Sequence, residues 1–203
     1  MEKSCSKKNS KKLPKVLIVE GFWNLGKTKL IDYLAERYNY FIIPEPDHLT
    51  ENINRNISKW YRQEHGKRHQ LAIKQMKQGK NIIMERSVIS SLAFDYAKSR
   101  TLSLGFKKDL KKINKLRDFL VIFLYGDKDF TKKMGLKLRD PSVKKLIMEN
   151  SHFCQNYLHF YKKILPLRLD NKIVFIKVNY KNKFKNFAKH YEKWLHLIIW
   201  SHF

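Results

Sequence analysis

A strand that turns straight into a helix around an anion is the strongest constraint on this chain, and the stretch VLIVEGFWNLGKT from Val16 to Thr28 has that form. Val16 to Val19 is a short unbroken apolar run, which reads as a strand buried on both faces. Lys27 to Tyr38 carries Leu30, Ile31 and Leu34 at helical spacing. Between them Gly21, Gly26, Lys27 and Thr28 meet the spacing G-x-x-x-x-G-K-S/T without a departure. The loop from Gly21 through Phe22, Trp23, Asn24 and Leu25 to Gly26 therefore falls at a strand-to-helix turn. Glycine there permits positive φ and close approach, and backbone N–H groups converge with the helix N-terminus on a phosphate. Lys27 would reach the outer phosphates and the Thr28 hydroxyl would meet Mg²⁺. The bland alternative is a βα turn with a chance lysine, and it leaves the complete pattern to coincidence.

The rest of the chain alternates in the same way. Tyr40 to Ile43 reads as a second strand ending in Pro44-Glu45-Pro46, and Thr50 to Gly79 as mostly helical with a break near His65-Gly66. Asn81 to Met84 reads as the next strand, with Glu85-Arg86-Ser87 at its end. Helices follow over Val88 to Lys98 and Lys107 to Leu116, then an apolar strand over Phe119 to Tyr125. One long helix over Ser142 to Leu165, a last strand over Ile173 to Val178 and a closing helix over Phe184 to Ile199 complete the pattern. Such alternation predicts an α/β chain with a five-stranded parallel sheet flanked by helices. It forms one domain over residues 16–203, behind a flexible basic tail of residues 1–15.

Composition narrows the class further. With 203 residues and 43% hydrophobic content the chain can bury a sizeable core. Cys5 and Cys154 are its only cysteines, so no disulfide framework is implied and a reducing, cytoplasmic compartment is expected. No apolar stretch approaches the roughly 20 residues that span a bilayer, so no membrane partner is expected. The net charge of +25 draws polyanions, nucleic acid among them. It comes from 34 lysines against 9 arginines, scattered along the chain, which is also what a broad drift in residue usage produces. A nucleic-acid partner and a compositional origin both stay open.

Ligands of open parallel sheets bind beyond the carboxyl ends of the strands. The loop after the first strand, Glu45 after the second and Glu85-Arg86 after the third therefore converge on one rim. Taken singly, Glu45 is a solvated loop carboxylate and Arg86 half of a surface ion pair; taken together beside a phosphate loop they read as a site.

On these residues the chain from Val16 to Ile199 resembles the P-loop nucleoside and nucleotide monophosphate kinases, deoxynucleoside and thymidylate kinases in particular. Pro44-Glu45-Pro46 is similar to the Glu-Pro element that faces the sugar hydroxyl in deoxynucleoside kinases, and Glu85-Arg86-Ser87 to their Glu-Arg-Ser element. The run from Gly79 to Phe94 is similar to the corresponding run of thymidylate kinases. The resemblance implies a three-layer P-loop kinase fold with a short lid, about residues 127–141, carrying Lys132, Lys133, Lys137, Arg139 and Asp140. It implies ATP on Gly21 to Thr28, Mg²⁺ held by Thr28 and, through water, by Glu85, and phosphoryl transfer to a nucleoside or nucleoside monophosphate. Lys27, Arg86 and Arg139 would neutralise the transferring charge, and Glu45 would accept the proton of an attacking hydroxyl or orient the sugar. Homodimers through helix packing are frequent among such kinases.

Several positions depart from the resemblance. Deoxynucleoside kinases commonly carry Asp-Arg where this chain has Ser91-Leu92. Thymidylate kinases commonly carry an arginine before Glu-Pro and Gly-Gly after it, where this chain has Pro44 and Asp47-His48. Arg62, Phe94 and Tyr96 are the acceptor candidates, with Trp60 and Tyr61 as further stacking aromatics. Aromatics at helical spacing are more often core, and Arg62 reads equally well as a solvated helix arginine. A polynucleotide 5′-hydroxyl kinase and a non-catalytic ATP-binding switch remain as other readings of the same loop.

Overall fold

The computed structural model of the chain describes residues 14–51, 53, 56–116, 118–169 and 172–179. The expected tail and the closing helix over residues 184–199 lie outside the described residues, apart from the tail's last two positions. Five strands form one wholly parallel sheet. They are β1 (Val16–Gly21), β2 (Tyr40–Ile43), β3 (Asn81–Glu85), β4 (Phe119–Tyr125) and β5 (Ile173–Lys177), in the order β2-β3-β1-β4-β5. Every residue of β1 is buried, Glu20 included, as is β4 up to its last, Tyr125, because helices cover both faces.

The helices are α1 (Lys27–Tyr38), α2 (Ile57–Lys77), α3 (Val88–Ser99), α4 (Phe106–Asn114), α5 (Lys128–Gly135), α6 (Pro141–Glu149) and α7 (Phe153–His159). The chain leaves β1 toward β2 on one side of the sheet and leaves β3 toward β4 on the other. That reversal opens a crevice at the carboxyl ends of β1 and β3. No helix among the described residues is long and apolar enough to cross a membrane.

Two helices differ from expectation. Instead of breaking near His65-Gly66, α2 runs continuously for 21 residues through Gly66, where a side chain would meet nothing. Its start is delayed to Ile57, after Asn56 in a left-handed conformation with φ 51°. The single helix expected over Ser142 to Leu165 is divided into α6, α7, a π turn at Phe160–Ile164 and a 3₁₀ turn at Pro166–Arg168. The break falls at Asn150, whose backbone is extended and whose Oδ1 accepts from the His152 N–H at 3.1 Å, so a side chain competes with the helix ladder.

Candidate active site

The phosphate loop is shaped by its anchors. Gly21 has φ 136°, and a Cβ there would lie 2.3 Å from the Leu124 carbonyl oxygen, so β1 and β4 approach too closely for any other residue. Phe22 and Leu25 point into the core, Phe22 against Phe123 and Tyr157, and so pin the loop from beneath. Asn24 donates from Nδ2 to the Met134 carbonyl of α5 at 3.1 Å. Gly26 caps α1 in a left-handed conformation, φ 87°, with no side-chain cap. The first N–H groups of α1 thus face the cleft without an intrahelical partner, the usual setting for an anion.

Lys27 is buried, and its ammonium donates to the Phe22 carbonyl at 3.1 Å across the loop. Burial, then the nearby Arg86 charge, push its pKa down to about 8 against the pull of Glu45, Glu85 and Glu20. A polyphosphate at the loop would supply the counter-charge this ammonium lacks. Thr28 donates to Glu85 Oε1 at 2.8 Å. Two hard oxygens beside a helix N-terminus suit Mg²⁺, so the residues present fit the ion that a bound triphosphate brings.

Arg86 follows β3 with φ 59° and is buried. Its Nε lies 2.7 Å from Glu45 Oε1, although the N–H is not aimed at that oxygen, so the contact is an ion pair rather than a hydrogen bond. Its Nη1 donates to the Ser90 and Tyr157 hydroxyls at 3.2 Å each, and the guanidinium carbon stands 5.9 Å from the Trp23 ring centroid. Burial disfavours this charge, but Glu45 and the surrounding acceptors outweigh it and raise the pKa above the ordinary arginine value.

Arg68, on α2, was not signalled by the sequence. Its Nη2 donates to the carbonyls of Ile43 and Glu85, at 3.1 and 2.5 Å, clipping together the carboxyl ends of β2 and β3. The residues that follow those two ends hold Glu45 and Arg86. His65, one turn before Arg68, meets its Nη1 at 3.0 Å and is kept neutral by burial and by that guanidinium, with its pKa pushed down to about 3. Their i, i+3 spacing, which puts them on one helix face, is the only trace of the pair in the sequence.

A cleft of about 1090 Å³ joins the loop to the opposite wall. Glu45, Glu85, Arg86 and Arg139 line it together with Lys27 and Thr28. Arg62 and Phe94 line it as well, Arg62 paired with Asp95 at 2.5 Å and Phe94 packed edge-to-face on Phe153. Tyr96 does not: it is buried on the far face of α3, stacked on His159 with its hydroxyl 3.1 Å from Nδ1, and it is withdrawn as an acceptor residue. Tyr61 lines the cleft and reaches His48 Nδ1 at 3.0 Å, whereas Trp60 packs on Tyr61 and is not among the lining residues.

The expected lid comprises α5 and the segment from Leu136 to Asp140. Lys137 and Arg139 face the cleft while Lys132 and Lys133 do not. The Arg139 side chain is 81% exposed and pairs with Asp47 at 2.9 Å, so here it serves the wall after β2 rather than the phosphate loop. Beside it His48 Nε2 lies 3.5 Å from Asp140, the residue whose carboxylate caps α6.

Comparison with solved structures places this architecture. Thymidylate kinase from Candida albicans superposes with a TM-score of 0.59 at 16% identity, over 92% of this chain and 91% of that one. The YorR protein from Bacillus subtilis, bound to phosphorylated GDP, gives 0.53 at 16% over 92% and 97%. Deoxyadenosine kinase from M. mycoides, with its products dCMP and dCDP, gives 0.53 at 16% over 88% and 99%. The chain has the P-loop kinase fold. No protein-family model matches it, and no curated protein matches it in sequence. At these identities the likeness to those kinases is one of fold, and the chemistry has to come from the side chains.

Proposed function

We propose that this protein transfers the terminal phosphoryl group of Mg²⁺-bound ATP to a hydroxyl of a nucleoside. The observation that carries the proposal is the Glu45–Arg86 ion pair at 2.7 Å, in the same cleft as Lys27 and the Thr28–Glu85 pair. Phosphoryl transfer asks a protein mainly for alignment and positive charge. Lys27 and the first turn of α1 hold the outer phosphates. Thr28 and Glu85 would hold Mg²⁺, which would supply neutralising charge to the phosphates. Glu45, about one-third exposed, takes the proton of the attacking hydroxyl. Arg86 holds that carboxylate in place and offers its remaining charge to the transferring group.

Charge pairing favours a neutral acceptor over a nucleoside monophosphate. Each arginine on the acceptor side already has a carboxylate: Arg62 has Asp95, Arg86 has Glu45 and Arg139 has Asp47. A sugar hydroxyl enters without disturbing these pairs, whereas an incoming phosphate dianion competes with all three carboxylates. Pro44, in place of the arginine of thymidylate kinases, points the same way.

The test is a screen of nucleosides, nucleoside monophosphates and 5′-hydroxyl oligonucleotides with labelled ATP. Phosphorylated nucleosides are expected, and Glu45→Gln is expected to cut turnover by about 10²–10⁴ with ATP affinity retained. Transfer to monophosphates alone overturns the hydroxyl acceptor. Transfer to oligonucleotides that collapses steeply with salt makes the protein a polynucleotide kinase.

A further inference from the structure

Glu20, the residue before the phosphate loop, is a carboxylate with no exposure at all in the middle of an apolar sheet. Such a group survives only when its oxygens are fully satisfied. Oε1 accepts from the Ser87 N–H at 2.9 Å and from the Ser87 hydroxyl at 2.8 Å, and Oε2 accepts from the Tyr161 hydroxyl at 3.0 Å and from the Ser90 hydroxyl. The hydrogens are assigned by their other partners. Ser87 Oγ accepts from the Ile89 N–H, and Ser90 Oγ accepts from Arg86 Nη1, so each hydroxyl has its own hydrogen left for Glu20. The Ser87 N–H and both serine hydroxyls therefore donate to the carboxylate, as the ionised form requires. Burial raises the Glu20 pKa, and Arg86 is the largest influence acting the other way.

Two routes lead from this carboxylate to the same guanidinium. One passes through Ser90, which contacts both Glu20 and Arg86. The other passes through Tyr161 and its neighbour Tyr157, whose hydroxyl receives Arg86 Nη1. Arg86 therefore stands between two carboxylates: Glu45, which opens to the cleft, and Glu20, which is sealed in the core.

We propose that Glu20 is a positioning residue for phosphoryl transfer: through Ser90 and the Tyr161–Tyr157 pair it fixes the Arg86 guanidinium and remains its counter-charge when Glu45 takes up the proton of the acceptor. The inference rests on the kinase reading above. It adds that the cleft-side partner of Arg86 is neutralised during the reaction, while the inner one, out of reach of solvent and substrate, is not. Arg86 then keeps both its place and its charge balance at the moment the phosphoryl group moves.

The experiment uses the full chain and two readouts. In the first, Glu20→Gln is expected to lower kcat about 10- to 100-fold, the scale of groups that orient a reacting shell, with ATP affinity within about threefold of the native value. Combined with Arg86→Lys, the Glu20 effect is expected to vanish; a loss that persists in that background means Glu20 supports the fold and not Arg86, and overturns the proposal. The second readout needs no turnover. The Nε–H resonance of Arg86, assigned by its disappearance in Arg86→Lys, is expected to shift or broaden in Glu20→Gln, and an unchanged resonance overturns the proposal even in a protein that phosphorylates none of the acceptors offered. Where Glu20→Gln fails to fold, Tyr161→Phe removes one donor from Oε2 without touching Arg86; a smaller shift of the same resonance is expected, and none overturns the proposal.

Discussion

Lys27 offers the sharpest quantitative test of the phosphate loop. Its ammonium is buried against the Phe22 carbonyl with its pKa pushed down to about 8 from an ordinary 10.5. The outer phosphates of ATP would return that value toward the ordinary 10.5, so nucleotide binds the protonated lysine preferentially. Between pH 8 and the bound-state value each unit of pH should then weaken binding about tenfold, with close to one proton taken up per ATP. Below pH 7 the lysine is already charged and affinity should be flat from this source. The net expectation is about a tenfold loss between pH 7 and pH 9. The terminal phosphate is fully ionised over that range and contributes no opposing slope. Calorimetry in two buffers of different ionisation enthalpy measures affinity and proton uptake together, and Lys27→Met should remove both the slope and the uptake. Equal affinity at pH 7 and pH 9 with no proton exchange would refute the placement of Lys27 on the phosphates. The same depression predicts that the free chain gains stability from this group as pH rises from 8 to 10.5, where the unfolded lysine still holds a proton and the folded one does not.

Gly21→Ala should cost more than about 4 kcal/mol, because a methyl at φ 136° is driven into the Leu124 carbonyl, whereas Gly66→Ala, which meets nothing on a helix face, should stabilise by about 0.5–1 kcal/mol; denaturant titration of both checks the contrast. Arg68→Met frees the carbonyls of Ile43 and Glu85 and should lower stability by about 2–4 kcal/mol, with turnover falling as Glu45 and Arg86 lose register; native stability in that variant would show that the clip is idle. Arg139→Ala breaks only an exposed pair and should change stability by less than about 1 kcal/mol, while slowing turnover through the lid.

The parts of the fold legible in the sequence were those that repeat over several residues. Five apolar runs became five parallel strands, and the complete loop motif fell at a strand-to-helix turn because both flanking periodicities agreed. The helix over Ser142 to Leu165 misled because its apolar spacing continues across Asn150, and only the side chain bonding to His152 shows that the ladder stops there. Within the site, the rim of Glu45, Glu85 and Arg86 was legible from strand-end positions alone. What those side chains bond to was not: Arg86 meets Glu45 and Tyr157, neighbours far apart in sequence that no local pattern couples. Glu20 could have been noticed, being the one charge in an otherwise unbroken buried strand. Tyr96 was misplaced because, on α3, Phe94 and Tyr96 stand two residues apart and so look in nearly opposite directions, one to the cleft and the other to His159.

The Asp47–Arg139 ion pair and the His48–Asp140 contact have a mechanical meaning. They tie the segment that follows Glu45 to the segment between α5 and α6, so two walls of the cleft are fastened to each other. Parting those contacts to admit one reactant would loosen the wall that seats the other.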